Sequence, residues 1–273
     1  MATSDYTVTA TSIPFCPNAA LSSAIAPLTT VIPITGYRSA GIEEVVAGEA
    51  AMINDEIVRI ESFSPVSITV ARGCADTIPQ AHAAGSTIWF FDDSFGNDAR
   101  EYAGSETIAV KLLPKTASAQ VPIANSTPAN VTFNFRFARP YAPGKVEVDG
   151  EPFTAVSIVG PANPALNLTW AHRDRVSQFD QLIDHSMSSV GPEAGTTYVV
   201  KVYKADNTLV RTVSAITGTS WDYPLATARS DFGITVGAGA ALTAGYLTLE
   251  SVRDGYVSWQ KYRVEFQVSN AAS

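Results

Sequence analysis

The sequence predicts an all-β protein, and three observations carry that expectation. Short runs of strict apolar–polar alternation recur along the chain, the period of half-buried strands. Charged residues are sparse at 16% while 46% are hydrophobic, a balance too apolar for disorder. The 18 glycines and 16 prolines supply many turns. The expected plan is an extended N-terminal arm over residues 1–40 and a small hairpin- or barrel-like β domain over 41–139. A linker follows at 140–144, then a two-sheet β-sandwich over 145–268 and a short tail at 269–273.

The arm is rich in Ala, Ser and Thr, nearly uncharged, and interrupted by Pro14, Pro17, Pro27 and Pro33. Proline removes backbone donors and favours extended conformations, which argues against a compact helical unit. Its apolar run Val31-Ile32-Pro33-Ile34 needs cover. Either the segment packs on its own first domain, or it docks on a neighbouring subunit by strand addition. The second reading makes Val31, Ile32 and Ile34 candidate interaction residues.

The first β domain opens with a hairpin. Val58 and Ile60 share one face, Arg59 and Glu61 the other, and after Ser62-Phe63-Ser64-Pro65 the residues Val66, Ile68 and Val70 alternate with Ser67 and Thr69. Ala71-Arg72-Gly73-Cys74 and Ala81-His82-Ala83-Ala84-Gly85 form turns before a strand at Ile88–Phe91. An acidic, Gly-bearing loop runs from Asp92 to Gly104. Strands are then expected at Thr107–Leu113 and Val131–Phe137, separated by a long polar loop. In the last strand Val131, Phe133, Phe135 and Phe137 alternate with Thr132, Asn134 and Arg136, the pattern of one buried sheet face. Arg139-Pro140-Tyr141-Ala142-Pro143-Gly144 closes the domain.

The second domain offers strands at Lys145–Val148, Leu166–Trp170, Tyr198–Tyr203, Leu209–Val213, Ser220–Tyr223, around Leu247 and Leu249, and Tyr262–Val268. About seven short strands with a lone Trp on the second are the pattern of a two-sheet sandwich. The segment resembles a fibronectin type III domain on that strand count, on Trp170 and on the strand–turn run Leu247–Ser258. It departs in a long insertion from His172 to Thr196. There Val176, Phe179, Leu182 and Ile183 fall near helical spacing after Asp174, in a run that reads equally as a packed loop.

Function classes are narrowed by what is missing. A net charge of −8 with no basic run argues against nucleic acid as a partner. No stretch approaches the ~20 apolar residues that span a bilayer. Cys16 and Cys74 form no metal or disulfide pattern, and no Lys or Arg precedes Arg38, so a reducing cytoplasm is the expected place of synthesis. His172-Arg173-Asp174 and Asp231-Phe232-Gly233 mimic protein-kinase triplets. A kinase needs Asn five positions after that Asp, where this chain has Phe179.

The group His172, Asp174, Asp180, Asp184 and His185 matches no zinc or calcium spacing. Asp92, Asp93 and Asp98 around Gly96 do not fit the calcium-loop register. No G-x-S-x-G elbow accompanies His82. The expectation is a non-enzyme, without catalytic residues, metal or cofactor. Tyr256, Trp259 and Tyr262 lie around the final turn, with Trp221 and Tyr223 nearby. They either fill the sandwich core or leave an exposed surface for sugar or protein, for which Tyr256 and Trp259 are the candidates.

The hairpin with its Arg72-Gly73 turn and Ala81–Gly85 segment resembles a module of tailed-bacteriophage tail and baseplate proteins. So do Leu168-Thr169-Trp170-Ala171-His172-Arg173-Asp174-Arg175, Gly191-Pro192-Glu193, Ser251-Val252-Arg253-Asp254-Gly255 and Ser258-Trp259-Gln260, which resemble the C-terminal region of siphophage tail-tip proteins. The match extends from about residue 43 to 268. The resemblance implies a virion structural protein of the tail tip or baseplate, assembled in the host cytoplasm. It also implies other tail proteins as partners and a homo-oligomer around the tail axis. The alternative within the same setting is a host-surface carbohydrate-binding module for adsorption. No functional residue transfers, because the matching motifs are architectural.

Overall fold

The computed structural model describes residues 6–8, 16–36, 45–92, 98, 100–237 and 239–272. Six strands close into a barrel: β1 (Asn18–Leu21), β2 (Val31–Thr35), β3 (Ala50–Ile53), β4 (Glu56–Ser64), β5 (Ser67–Ala71) and β6 (Thr87–Trp89). Their order is β1-β2-β5-β4-β3-β6, antiparallel throughout, and closure leaves no free edge. One parity of each strand fills the interior. Ile32, Ile53, Val58, Ile60, Ile68 and Ile88 are all sealed from solvent.

This corrects the expected arm. Residues 16–36 are part of the barrel, because β1 and β2 supply the two strands that close it. Ile32 and Ile34 point into its core, while Val31 on the opposite parity stays exposed. The hairpin forms as expected, with one shift: β4 continues to Ser64, so Val66 occupies the turn and is exposed instead of sharing the face of Ile68.

Of the described residues, 6–8, 98 and 100–138 form a separate unit, so the expected domain over 41–139 divides. The unit holds one antiparallel ribbon, β7 (Thr107–Val110) with β8 (Ala129–Thr132). The strand expected to reach Phe137 ends at Thr132. Phe135 takes a φ of 53°, which breaks the alternation, and a 3-10 turn follows at Arg136–Ala138. Phe133 instead stacks on Tyr102 with ring centroids 4.4 Å apart.

The remaining strands build the sandwich: β9 (Gly144–Val148), β10 (Glu151–Pro152), β11 (Ser157–Val159), β12 (Ala165–Ala171), β13 (Thr197–Lys204), β14 (Leu209–Ile216), β15 (Ser220–Pro224), β16 (Leu242–Arg253), β17 (Tyr256–Val257) and β18 (Tyr262–Ser269). One sheet runs β10-β9-β12-β15 and the other β11-β18-β16-β13-β14, with β17 paired to β16. Apart from the short edge pieces β10, β11 and β17, this is the three-on-four strand order of a fibronectin type III-like sandwich. Trp170, Tyr198, Leu247, Leu249, Val264 and Phe266 lie in its core. The expected linker over 140–144 is part of the sandwich, since Ala142 packs into that core and Gly144 begins β9. Nor is the tail separate: Ser269 ends β18, and Asn270 donates its N–H to Ala241 O.

The helix sits elsewhere than expected. Residues 172–196 form turns with Val176 and Phe179 exposed, whereas α1 (Leu225–Phe232) lies between β15 and β16. Leu225, Ala228 and Phe232 place one face on the core, and Gly233 ends the helix in the left-handed conformation.

Candidate functional site

Glu56 begins β4 on the same parity as Val58 and Ile60, so its carboxylate enters the barrel interior at one end. There it is fully buried and accepts five hydrogen bonds. Arg72 meets it side-on, Nε to Oε1 and Nη2 to Oε2, both at 2.7 Å. The backbone N–H groups of Gly73 (3.0 Å) and Gln80 (2.9 Å) and His82 Nε2 (2.8 Å) complete the set. Arg72 spends its other donors on carbonyls: Nη1 on Ala26 (3.1 Å) and Thr29 (2.7 Å), Nη2 on Gln80 (2.6 Å). All five guanidinium N–H groups are thereby used.

Asn54 Nδ2 stands 3.0 Å from His82 Nδ1, and as donor it places the imidazole proton on Nε2, facing Glu56. Burial works to raise the Glu56 pKa. The hydrogen bonds from Arg72 and His82 outweigh it and hold the carboxyl below its ordinary range.

A Glu–His pair is the raw material of acid–base chemistry, yet here no substrate can reach it. Glu56, Arg72 and His82 are 0%, 1% and 3% exposed. What the arrangement can do is tie the 26–29 loop, the Arg72-Gly73 turn and the Gln80–His82 segment to the base of β4. Gly73 fits because its φ is 58° and a Cβ there would fall 2.5 Å from Pro79 Cδ. The turns that the sequence places around Arg72 and His82 both form, and both side chains turn inward to Glu56. Glu56 was missed. An acidic residue on the buried parity of a strand was the signal available.

The other side of the same turn meets the sandwich. Arg72 O accepts the His185 N–H (3.0 Å), and His185 O accepts the N–H of Lys145 at the start of β9. Arg59 Nη1 donates to Leu182 O, and Nη2 lies 3.7 Å from Asp184 Oδ2. Gln260 bridges in both directions, accepting from Ile78 N (2.8 Å) and donating to Asp55 O (2.7 Å). Ile78 itself joins the sandwich core.

The insertion that presents His185 is wound around Arg173. This guanidinium, 5% exposed, donates to the carbonyls of His172, Asp184, His185, Met187 and Ser188 at 2.8–3.3 Å. Glu193 fastens the far end, 2.9 Å from Arg175 Nη2 and 3.2 Å from Arg253 Nε. Burial lowers the pKa of both His172 and His185.

These contacts account for the kinase-like triplets. His172 Nδ1 pairs with Tyr198 OH at 2.7 Å, and Asp174 Oδ1 caps the Val176 N–H at 2.9 Å. Asp231 accepts from Arg211 Nε (2.6 Å) and Tyr223 OH (2.7 Å), while Gly233 is a helix cap. Among the described residues no group of three or more His, Cys, Asp or Glu side chains is placed to hold a metal. Asp92 caps Ala50 N at 3.1 Å, and Asp93 and Gly96 lie outside the described residues. Cys16 and Cys74 are unbridged thiols, and burial pushes Cys74 up to about 12. No described helix is long and apolar enough to cross a membrane.

Of the aromatic candidates, Tyr223 and Tyr262 fill the core. Tyr256 is half-buried and Trp259 keeps 37% of its surface, at the rim of a groove of about 470 Å³ shared with Gln80, Glu250 and Lys261. The Arg139 guanidinium stands 5.7 Å from the Trp259 ring centroid.

No protein-family model and no curated protein matches this sequence. Among solved structures the chain is similar to an Fn3-like protein from Clostridium thermocellum, at 17% identity over 49% of this chain and 95% of that one (TM-score 0.25). It is similar to the chicken CNTN1 FN1-FN3 domains at 9% identity, over 95% of this chain and 67% of that one (TM-score 0.28). The BSP domain of a biofilm-associated protein matches at 12% identity over 94% of this chain, which spans 30% of that longer chain (TM-score 0.22).

Proposed function

We propose that the chain is a structural component of a bacteriophage tail tip or baseplate, built in with other tail proteins. One observation carries the reading: the sequence pieces that resemble tail proteins all serve as joinery. Arg72-Gly73 and His82 close the base of the barrel, and Arg173 and Glu193 shape the insertion that His185 applies to it. Gln260 ties the final turn to Asp55 and Ile78. Side chains spent on internal hydrogen bonds suit a building block better than a catalyst. The carbohydrate-binding alternative draws on Trp259 at its groove, but Arg139 already engages that ring.

Mass spectrometry of purified virions and isolated tails tests the assignment. The chain is expected in both, at a constant ratio to the tail-tube protein. Its absence from purified tails would overturn the proposal.

A further inference from the structure

His185 lies where the barrel meets the sandwich. Its N–H donates to Arg72 O at 3.0 Å, while its carbonyl accepts from Lys145 N at the start of β9 and from Arg173 Nη2 at 3.3 Å. The residue is thus held by its backbone, and among the described residues its imidazole makes no hydrogen bond. The half-buried residue stands instead among charges that are already in place. Arg72 and Glu56 act on it from the barrel, Arg173 and Asp184 from the insertion, and all four are buried. Around them, Arg59 lies 3.7 Å from Asp184, His82 meets Glu56 at 2.8 Å, and Cys74 is a neutral thiol. Arg59, Arg72 and Arg173 set three guanidiniums against the two carboxylates of Glu56 and Asp184. The junction therefore carries excess positive charge before any histidine is protonated.

We propose that His185 is an acid-sensitive latch between the two cores: on taking up a proton its imidazole adds a further cation to the junction, and barrel and sandwich part there while each stays folded. That cation finds no uncommitted carboxylate. Glu56 is spent on Arg72 and His82, and Asp184 on Arg59 and Ser186. Opening the junction returns the ring to water, and each side keeps its own complete core. Burial holds the His185 pKa down, and Asp184 and Glu56 only partly offset it, so the group sits below its ordinary value near 6.5. The closed junction is then fully favoured above about pH 6.5 and loses stability as pH falls toward the folded value. Glu56, held below its ordinary range, keeps its charge through the start of that window and with it the barrel base. The inference stands apart from the tail assignment: a junction indifferent to acid would overturn it and leave that assignment untouched.

Hydrogen exchange of the full chain at neutral pH and at about pH 5, corrected for intrinsic exchange, tests the proposal. The amides that bridge the cores, those of Ile78, Lys145 and His185, are expected to lose protection about tenfold or more in acid, while those of β5 and β16 keep theirs. His185→Gln should keep the bridging amides protected in acid, whereas His172→Gln should open as the wild type does. A second readout needs no variant: an NMR titration of the wild-type His185 imidazole should have its midpoint where the bridging amides lose protection. Bridging amides unmoved by acid, an equal loss in β5 and β16, a His185→Gln chain that opens like the wild type, a His172→Gln chain that stays closed, or an imidazole that titrates with the junction shut would each overturn it.

Discussion

Glu56 is the residue on which the barrel base depends, since one carboxylate satisfies Arg72, His82 and two backbone donors. A buried ion pair gains little over an apolar replacement, but removing one partner strands the other charge. Glu56→Gln is therefore expected to cost about 3–5 kcal/mol of stability, measured by urea unfolding at neutral pH. The same residue shapes the acid limb. Its pKa is lower folded than unfolded, so its contribution is complete above the unfolded value near 4.5 and lost as pH falls through the folded one. Urea midpoints of the wild type should drop more steeply than those of Glu56→Gln below about pH 4.5. His172 and His185, lowered by burial, add a loss in both proteins that begins near pH 6.5. In the sequence, Arg72 and His82 stood out because they sit among small turn residues. Glu56 looked like an ordinary strand-end acid, and only its parity with Val58 and Ile60 separated it from a solvated one.

At the scale of elements, the strands that alternate over a complete face were readable directly, as β4, β5, β13 and β18 show. The position of the helix was not. Val176 and Phe179 have helical spacing but no sheet surface to cover, so the segment winds around Arg173 instead. The eight-residue α1 has only three core-facing positions, too few for its periodicity to emerge from sequence, and its Asp231-Phe232-Gly233 end suggested another motif. Two glycines test how turns fix these elements. Gly233→Ala meets open space and should cost only the left-handed backbone penalty, about 1–2 kcal/mol. Gly73→Ala adds a collision with Pro79 in a buried turn and should cost clearly more. Denaturation midpoints of the pair check this order, and equal effects would refute the role given to the Arg72-Gly73 turn.

Across the molecule, the partition of the chain was the part least legible in sequence. Barrel closure joins residues 16–36 to residues 45–92, and such long-range pairing leaves no local signature; both an arm and a packed segment fitted the proline-rich composition. The alternation expected from Val131 to Phe137 was legible only in part, because β8 ends at Thr132, Phe133 stacks on Tyr102 and the positive φ of Phe135 breaks the period. Barrel and sandwich each have a complete core, yet they fall in one compact unit. The contacts of Arg59, Gln260, His185 and Ile78 explain why. If the tail-like motifs are joinery, the two cores must unfold together. Scanning calorimetry of the full chain tests this most directly. The account predicts one main transition whose calorimetric and van't Hoff enthalpies agree. Two resolved transitions, one for the barrel and one for the sandwich, would contradict it.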